Sequence, residues 1–365
     1  MTSRVGRPAA AALLLALVSS PAAAQADPRS ALLERAGWDA IAAGQPHAAA
    51  EAFRQALASD PGNPQLYLGA GTAAYLERRN DAAKEALERA LQLNPRLTRA
   101  RVVLGPVLYR LGDLNGAIRT YESVVSDTPD DKQAISLLEK WRREAALADR
   151  MQQTVGSHFT VSFEGPAVEE LAARTVESLD RAYWRVGDLL GIHPHEAIAV
   201  VLYSAEQFED ITRSPSWAAG AYDGTIRVPV RGALDRPDEL DRVLAHELTH
   251  ALVLTLARRG VPTWLNEGLA GALEGRDLAW ADDIVRSVQP PPLSALQGSF
   301  GRLDKTQAQA AYAVSALAVR RLLDEAGGFA VANLLRDLGD GADFEAAFAH
   351  RMQRTFADFQ ASLIY

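Results

Sequence analysis

The sequence predicts an α+β protein in which a stack of helical hairpins precedes a small β-sheet and a series of further helices. Two observations lead to this class. Residues 30 to 131 repeat with a period of 34, which is typical of stacked helical units. After them, strand-like runs at 158–163 and 197–203 flank a long helical pattern at 167–190, and helical segments follow. The 365 residues suit two domains.

The repeat register is visible in residues that recur every 34 positions. Small and large packing positions recur together with a proline and with a glycine in the first helix of each unit. They are Ala49, Ala83 and Ala117; Phe53, Leu87 and Tyr121; Pro61, Pro95 and Pro129; and Gly37, Gly71 and Gly105. This register resembles the tetratricopeptide repeat, a helical hairpin that buries its apolar face only against its neighbours.

We predict three repeats at about 30–63, 64–97 and 98–131, and a closing helix that completes a domain over 27–151. The resemblance implies a concave surface that binds a peptide or a protein partner. A bare spacer would show the same register, so both interpretations stay open.

Residues 1–24 have the composition of a signal peptide. Arg4 and Arg7 precede an apolar run that is too short to span a bilayer, and small residues place cleavage near Ala24 or Ala26. No later segment is long and apolar enough to cross a membrane. We therefore expect an exported protein without a membrane span, and the bacterial periplasm as its compartment.

Composition excludes several classes of chemistry. The chain has no cysteine, which rules out disulfides, thiolate metal ligands and a cysteine nucleophile. Its net charge of −8, without a basic patch, argues against nucleic acid as a partner.

The most informative motif is the five-residue string His246-Glu247-Leu248-Thr249-His250, inside a predicted helix over about 237–259. Residues i and i+4 lie on one face of a helix, so His246 and His250 can bind one Zn²⁺. Glu247 then lies beside the metal, where it can act on a water molecule. Two hydrogen-bonded histidines, or a purely structural zinc site, would leave the same string.

A third ligand is expected from the next helix. Gly260 ends the first helix, and a second helix follows from Trp264 to Glu274 after a short turn. Its first turn contains Asn266-Glu267-Gly268-Leu269-Ala270, and Glu267 comes 17 positions after His250. A tight turn can bring this carboxylate back to the imidazoles, which gives the His₂Glu set of thermolysin-type sites with one open position.

The strings HELTH and NEGLA together resemble the gluzincin pattern of thermolysin and the aminopeptidase N group. The closer similarity is to bacterial peptidase MA-like domains attached to tetratricopeptide repeats, and it covers about 157–365. The resemblance implies a thermolysin-like fold, with His246, His250 and Glu267 as zinc ligands and Glu247 as general base. Thermolysin has an Asp four residues after its Glu ligand that supports a zinc histidine. Here that position is Gly271, so the support must come from elsewhere.

Gluzincins commonly use a tyrosine to donate a hydrogen bond to the oxyanion of the reaction. Tyr312, in the predicted helix 307–325, is the candidate because related domains carry a similar A-Y-x-x-S string. Tyr222 is the alternative. A tyrosine on an apolar helix face is also a common core residue, so the role of Tyr312 stays open.

A β-hairpin is predicted just before the zinc-binding motif. The segment 217–222, a turn at Asp223-Gly224 and a strand over 225–230 give its pattern. Pro229 cannot donate to a sheet ladder, which predicts an edge strand. In gluzincins such a strand binds the substrate backbone, so the resemblance implies substrate contacts at the residues Gly220, Tyr222, Ile226 and Val228. An ordinary surface hairpin is the alternative.

Together these features predict a peptidase that uses one Zn²⁺, acts on peptide or protein substrates, and carries a repeat domain for a partner or a substrate. The lack of an acidic exopeptidase motif favours an endopeptidase. One alternative is a repeat-based scaffold whose zinc domain is inactive or only binds peptide ends; another is a zinc hydrolase acting on another amide, such as a cell-wall peptide. Glu247 favours an enzyme over the scaffold, because a structural zinc site would tolerate Gln there.

Overall fold

The structure, a computed structural model, describes residues 28–164, 169–204, 221–222, 224–229 and 237–363. The predicted signal peptide lies outside the described residues, and so does Gly220.

The N-terminal part consists of antiparallel helical hairpins that stack side by side. Its helices are α1 (Pro28–Ala42), α2 (Pro46–Ser59), α3 (Pro64–Leu76), α4 (Asn80–Leu93), α5 (Thr98–Arg110), α6 (Leu114–Asp127) and α7 (Lys132–Ala148).

The repeat positions explain why the hairpins close. The repeated alanines, Phe53 and Leu87 are fully buried, and Tyr121 is buried as well. Gly105 of α5 lies so close to α6 that a Cβ atom would be 2.3 Å from the ring of Tyr121, so only glycine fits. Trp141 of α7 packs edge-on against Tyr121, with ring centroids 4.7 Å apart, and thereby joins α7 to the stack.

The second part opens with a five-stranded sheet. Its strands are β1 (Gln152–Val155), β2 (Phe159–Phe163), β3 (Ile198–Tyr203), β4 (Ala221–Tyr222) and β5 (Ile226–Pro229). They lie in the order β1-β2-β3-β5-β4; β2, β3 and β5 run parallel, while β1 and β4 pair antiparallel at the two edges. Helix α8 (Glu169–Leu190) connects β2 to β3. The sequence does not predict strand β1, because this strand is short, polar and mostly exposed.

The predicted hairpin is present, but the prediction that its second strand lies on a sheet edge is wrong. Strand β5 pairs with β3 on one side and with β4 on the other, which makes β4 the edge. Pro229 is tolerated because it is the last residue of β5. The described pairs with β4 involve only Ile226 and Arg227, so the missing N–H of Pro229 costs none of these hydrogen bonds.

Helices complete the second part. They are α9 (Pro237–Leu256), α10 (Thr263–Leu273), α11 (Ala279–Ser287), α12 (Lys305–Gly339), α13 (Phe344–Met352) and α14 (Phe356–Ala361), with two 3₁₀ turns between α11 and α12. Helix α12 is interrupted at Gly327, which has φ of 78°. Among the described residues, no helix combines the length and the apolarity that a membrane crossing requires.

The two faces of the sheet have different neighbours. Alternate residues of β2, β3 and β5, among them Val200, Ile226 and Val228, are buried in the core formed with α8 and α9. The opposite face turns towards the repeats, where Tyr203 of β3 packs with Leu147 of α7. The α+β class, with helical repeats followed by a small sheet and helices, is confirmed.

Candidate metal centre

Helix α9 places His246 and His250 one turn apart on the same face. The ring centroids are 4.9 Å apart and the ring planes are inclined by 83°. The acidic residues Asp238 and Glu239 in the first turn of the helix favour its N-terminus electrostatically. Most of the other residues from Leu240 to Val253 are buried, which anchors the helix under the sheet.

Glu267 of α10 supplies the third potential metal ligand. After α9 the chain reverses at Gly260, whose φ is 78°, and α10 returns towards α9. Oε2 of Glu267 then lies 3.8 Å from Nε2 of His246 and 3.6 Å from Nε2 of His250. Ligand atoms around a tetrahedral zinc ion are roughly 3.4 Å apart, given bonds of about 2.0 to 2.2 Å. The three donors, which all lie within 4.8 Å of one another, therefore fit one zinc ion.

Each histidine is oriented by an acceptor behind it. Oε2 of Glu274 lies 3.1 Å from Nδ1 of His246, and Oδ1 of Asn266 lies 3.1 Å from Nδ1 of His250. If each Nδ1 carries its proton and donates to that oxygen, each Nε2 keeps a lone pair directed at the same point as Glu267.

These two orienting residues are where sequence reasoning fell short. In the sequence, Asn266 is marked only as a residue of the first turn of α10, and Glu274 only as its end. The support that Gly271 cannot give comes from Glu274, seven positions after Glu267 and therefore two turns further along the same face of α10. That spacing is visible in the sequence, but its meaning depends on how α10 packs beside α9.

Glu274 is itself held firmly. Its side chain is buried, and Nη1 of Arg242, one turn before His246, lies 3.3 Å from each carboxylate oxygen. Two more arginines close the end of α10: Arg185 donates to the carbonyl of Leu273 at 2.8 Å, and Arg320 donates to that of Ala272 at 2.7 Å. Cations at a helix C-terminus are favourable, so the arginines fix the segment that carries Glu274.

The pKa values of the site residues reflect burial and the neighbouring carboxylates. Burial alone would lower the pKa of His246, but the nearby carboxylates of Glu267 and Glu274 outweigh it and raise this pKa to about 10, so a bound metal ion would displace a proton from His246. Burial lowers the pKa of His250. Burial also raises the pKa of Glu247 to about 7, although the charge of His246 opposes this. A carboxylate that titrates near neutral pH is well matched to proton transfer.

Tyr312 of α12 lies near these carboxylates. Burial raises its pKa well above the usual range, and the charges of Glu267 and Glu247 raise it further, so its hydroxyl remains a donor. Its ring also packs edge-on against Phe300, with centroids 5.1 Å apart. The structure therefore brings Tyr312 to the site while part of its ring contributes to the core.

Of the residues predicted to contact substrate, the structure describes the side chains of Ile226 and Val228, and it brings neither of them to the site. The side chains of Ile226 and Val228 are 0% and 2% exposed and pack in the core, and β5 is an interior strand, so neither side chain faces a substrate. The side chain of Tyr222 and the whole of Gly220 lie outside the described residues. Among the described strands, β4 forms the sheet edge next to β5, where strand addition could occur.

Replacing Glu274 with Gln should lower the zinc affinity about 10- to 100-fold. The amide keeps the size of the side chain but removes the charge that holds the Nδ1 proton of His246 and pairs with Arg242. Competition with a chromophoric chelator measures this affinity. Glu325→Gln, which alters an exposed glutamate of α12 paired with Arg321, is the control. An unchanged affinity in a folded Glu274→Gln protein would show that the contact does not orient His246.

Comparison with known proteins agrees with this geometry. Residues 179–356 match the family model of the Peptidase MA superfamily, and residues 34–96 and 74–140 match tetratricopeptide repeat models. A search of curated proteins finds no match.

Several solved structures are similar to part of the chain. The first repeat domain of Spaghetti (RPAP3), bound to an HSP90 peptide, is 24% identical, covers 32% of this chain and 96% of its own, and has a TM-score of 0.31. The Sgt2 repeat domain from Aspergillus fumigatus is 25% identical, with coverages of 34% and 83% and a TM-score of 0.32. MamA is 28% identical, with coverages of 34% and 73% and a TM-score of 0.32. On the family models, residues 179–356 belong to the Peptidase MA superfamily, and the part of the chain before them carries tetratricopeptide repeats.

Proposed function

We propose that this protein is a zinc-dependent peptidase in which Glu247 acts as the general base. The observation that carries the proposal is the convergence of His246, His250 and Glu267 on one point, with an acceptor behind each imidazole. A zinc ion bound there would lower the pKa of water towards about 7 and polarise a substrate carbonyl.

The protein groups around this point divide the remaining work. Glu247 follows His246 on α9, is 6% exposed, and is not one of the three donors, so it is free to take a proton from the attacking water. The same carboxyl can later give that proton to the leaving amine. Tyr312 keeps its hydroxyl proton and can donate it in a hydrogen bond to the developing oxyanion.

The substrate is proposed to bind as an extended peptide along β4, the edge strand beside α9. Pairing with the backbone of β4 would hold a peptide in the middle of its chain, which suits endopeptidase action. The repeats are proposed to bind a protein partner or the substrate itself, in an exported protein of the periplasm. Fractionation of cells that express the full chain tests the compartment, and recovery of the protein only in the cytoplasm would refute it.

Removal of the metal tests the proposed chemistry. The purified protein should contain about one zinc per chain, a chelator should abolish cleavage of a broad peptide library, and added zinc should restore it. Metal content and library cleavage are measured on the same samples. A protein that takes up no zinc on addition, or one that cleaves equally well without it, would refute the proposal.

A further inference from the structure

Arg227 of β5 connects the peptidase domain to the repeats. Its neighbours Ile226 and Val228 point into the core, so its side chain projects from the opposite face of the sheet. There it is only 5% exposed. Nη2 of Arg227 donates to the hydroxyl of Tyr109 on α5 at 2.8 Å and to Oε1 of Glu144 on α7 at 3.0 Å.

Tyr109 and Glu144 together accept hydrogen bonds from this guanidinium. The hydroxyl of Tyr109 donates to Oε2 of Glu144 at 2.8 Å, so its lone pairs remain available to Arg227. The ring of Tyr109 stacks on Trp141, with centroids 5.4 Å apart, and Trp141 is buried in the repeat core. The repeat stack therefore holds Tyr109 and Glu144 in fixed positions.

We propose that the repeat domain is a positioning element of the peptidase domain: Tyr109 and Glu144 hold Arg227 and thereby fix the β4–β5 hairpin beside the zinc-binding helix. The catalytic consequence rests on the proposed peptidase function. The docking itself does not, because it follows from the contacts of Arg227 alone.

The register of the hairpin explains how this contact reaches the substrate edge. Arg227 is the direct partner of Ala221 in β4, so the residue held by the repeats is also one that pairs with the edge strand. On its core side, β5 lies against α9, which carries both histidines. Displacement of Arg227 would move the edge strand relative to the donor set.

A second contact of the same kind lies just beyond the other end of α9. Arg259, three residues after the end of that helix, pairs with Glu77, the buried residue that caps the C-terminus of α3. Arg79 and His47 also contact this carboxylate. Both contacts set an arginine of the peptidase domain against a glutamate of the repeats, and together they bracket the segment that contains the zinc motif.

Glu144→Gln in the full-length chain tests the proposal, because it keeps the shape of the side chain and removes its charge. Amide hydrogen exchange at residues 226–228 should become about tenfold faster, while β2 of the same sheet exchanges as in the wild type. The value of kcat/KM for a peptide should fall about tenfold, mainly through KM. Zinc affinity should stay unchanged, since none of the donors moves.

Matched variants separate positioning from general loss of stability. Glu122→Gln breaks the exposed Arg142–Glu122 bridge on the same repeat stack and should change neither exchange nor KM. Arg227→Lys keeps the charge but loses the planar guanidinium geometry, and it should give an intermediate effect.

Wild-type exchange at residues 226–228 together with a wild-type KM in Glu144→Gln would overturn the proposal. If that variant does not fold, Tyr109→Phe provides the same test, because the ring against Trp141 is retained. If the wild type cleaves no peptide, the proposed function fails on its own, and the exchange measurement still decides whether Arg227 fixes the hairpin.

Discussion

Glu247→Gln should lower kcat for peptide hydrolysis roughly 10²- to 10⁴-fold while the protein still binds zinc with wild-type affinity. The amide of Gln is close in size to the carboxyl group but cannot accept a proton at neutral pH. His246, His250 and Glu267 are untouched, so the metal site should remain. Steady-state kinetics on a peptide cleaved by the wild type, combined with metal analysis, measure both halves of this result.

The pairing of lost turnover with retained zinc is what identifies a general base. Glu345→Gln, at an exposed position in the first turn of α13, makes the same chemical change away from the site and should cleave at the wild-type rate. Equal cleavage by Glu247→Gln would remove Glu247 from the mechanism. Loss of zinc together with turnover would instead assign Glu247 a role in holding the metal site.

The parts of the fold and site that the sequence predicted depend on local patterns. The repeat register is visible because equivalent residues recur every 34 positions, and each helical hairpin packs against the next one along the chain. His246 and His250 share a helix face because of their spacing, and Glu267 follows them after a turn that Gly260 marks. In each case the relevant residues lie within one or two adjacent elements, so short-range geometry decides the result.

The parts that the sequence did not predict depend on pairings between distant elements. Pro229 lacks a backbone N–H and therefore suggests an edge strand when β5 is considered alone. Whether β5 lies at an edge depends on where β3 and β4 lie. The contact of Arg227 with Glu144 joins residues 83 positions apart, and no local pattern marks either residue as a partner. The role of Glu274 required the packing of α10 beside α9.

Gly268→Ala should lower the free energy of unfolding by about 3 kcal/mol and also weaken zinc binding. Gly268 follows Glu267 on the face of α10 that packs against α12. A Cβ atom there would lie 2.4 Å from the backbone oxygen of Ser315 and 2.6 Å from Cγ2 of Val319. The backbone of α12 cannot yield as a flexible side chain would, so α10 must shift and carry Glu267 away from His246 and His250.

Gly271→Ala is the matched control, because it makes the same substitution on the same helix one turn later. Its Cβ atom would lie 3.2 Å from the Cβ atom of Ala316, a tight contact that a shift of a few tenths of an ångström relieves, and replacing a glycine in the helix contributes up to about 1 kcal/mol in return. Urea denaturation followed by circular dichroism, with chelator competition for zinc, should therefore separate the two variants. Equal stability would mean that α12 yields at Ser315; lower stability of Gly268→Ala with full zinc affinity would mean that the position of Glu267 does not depend on this close packing.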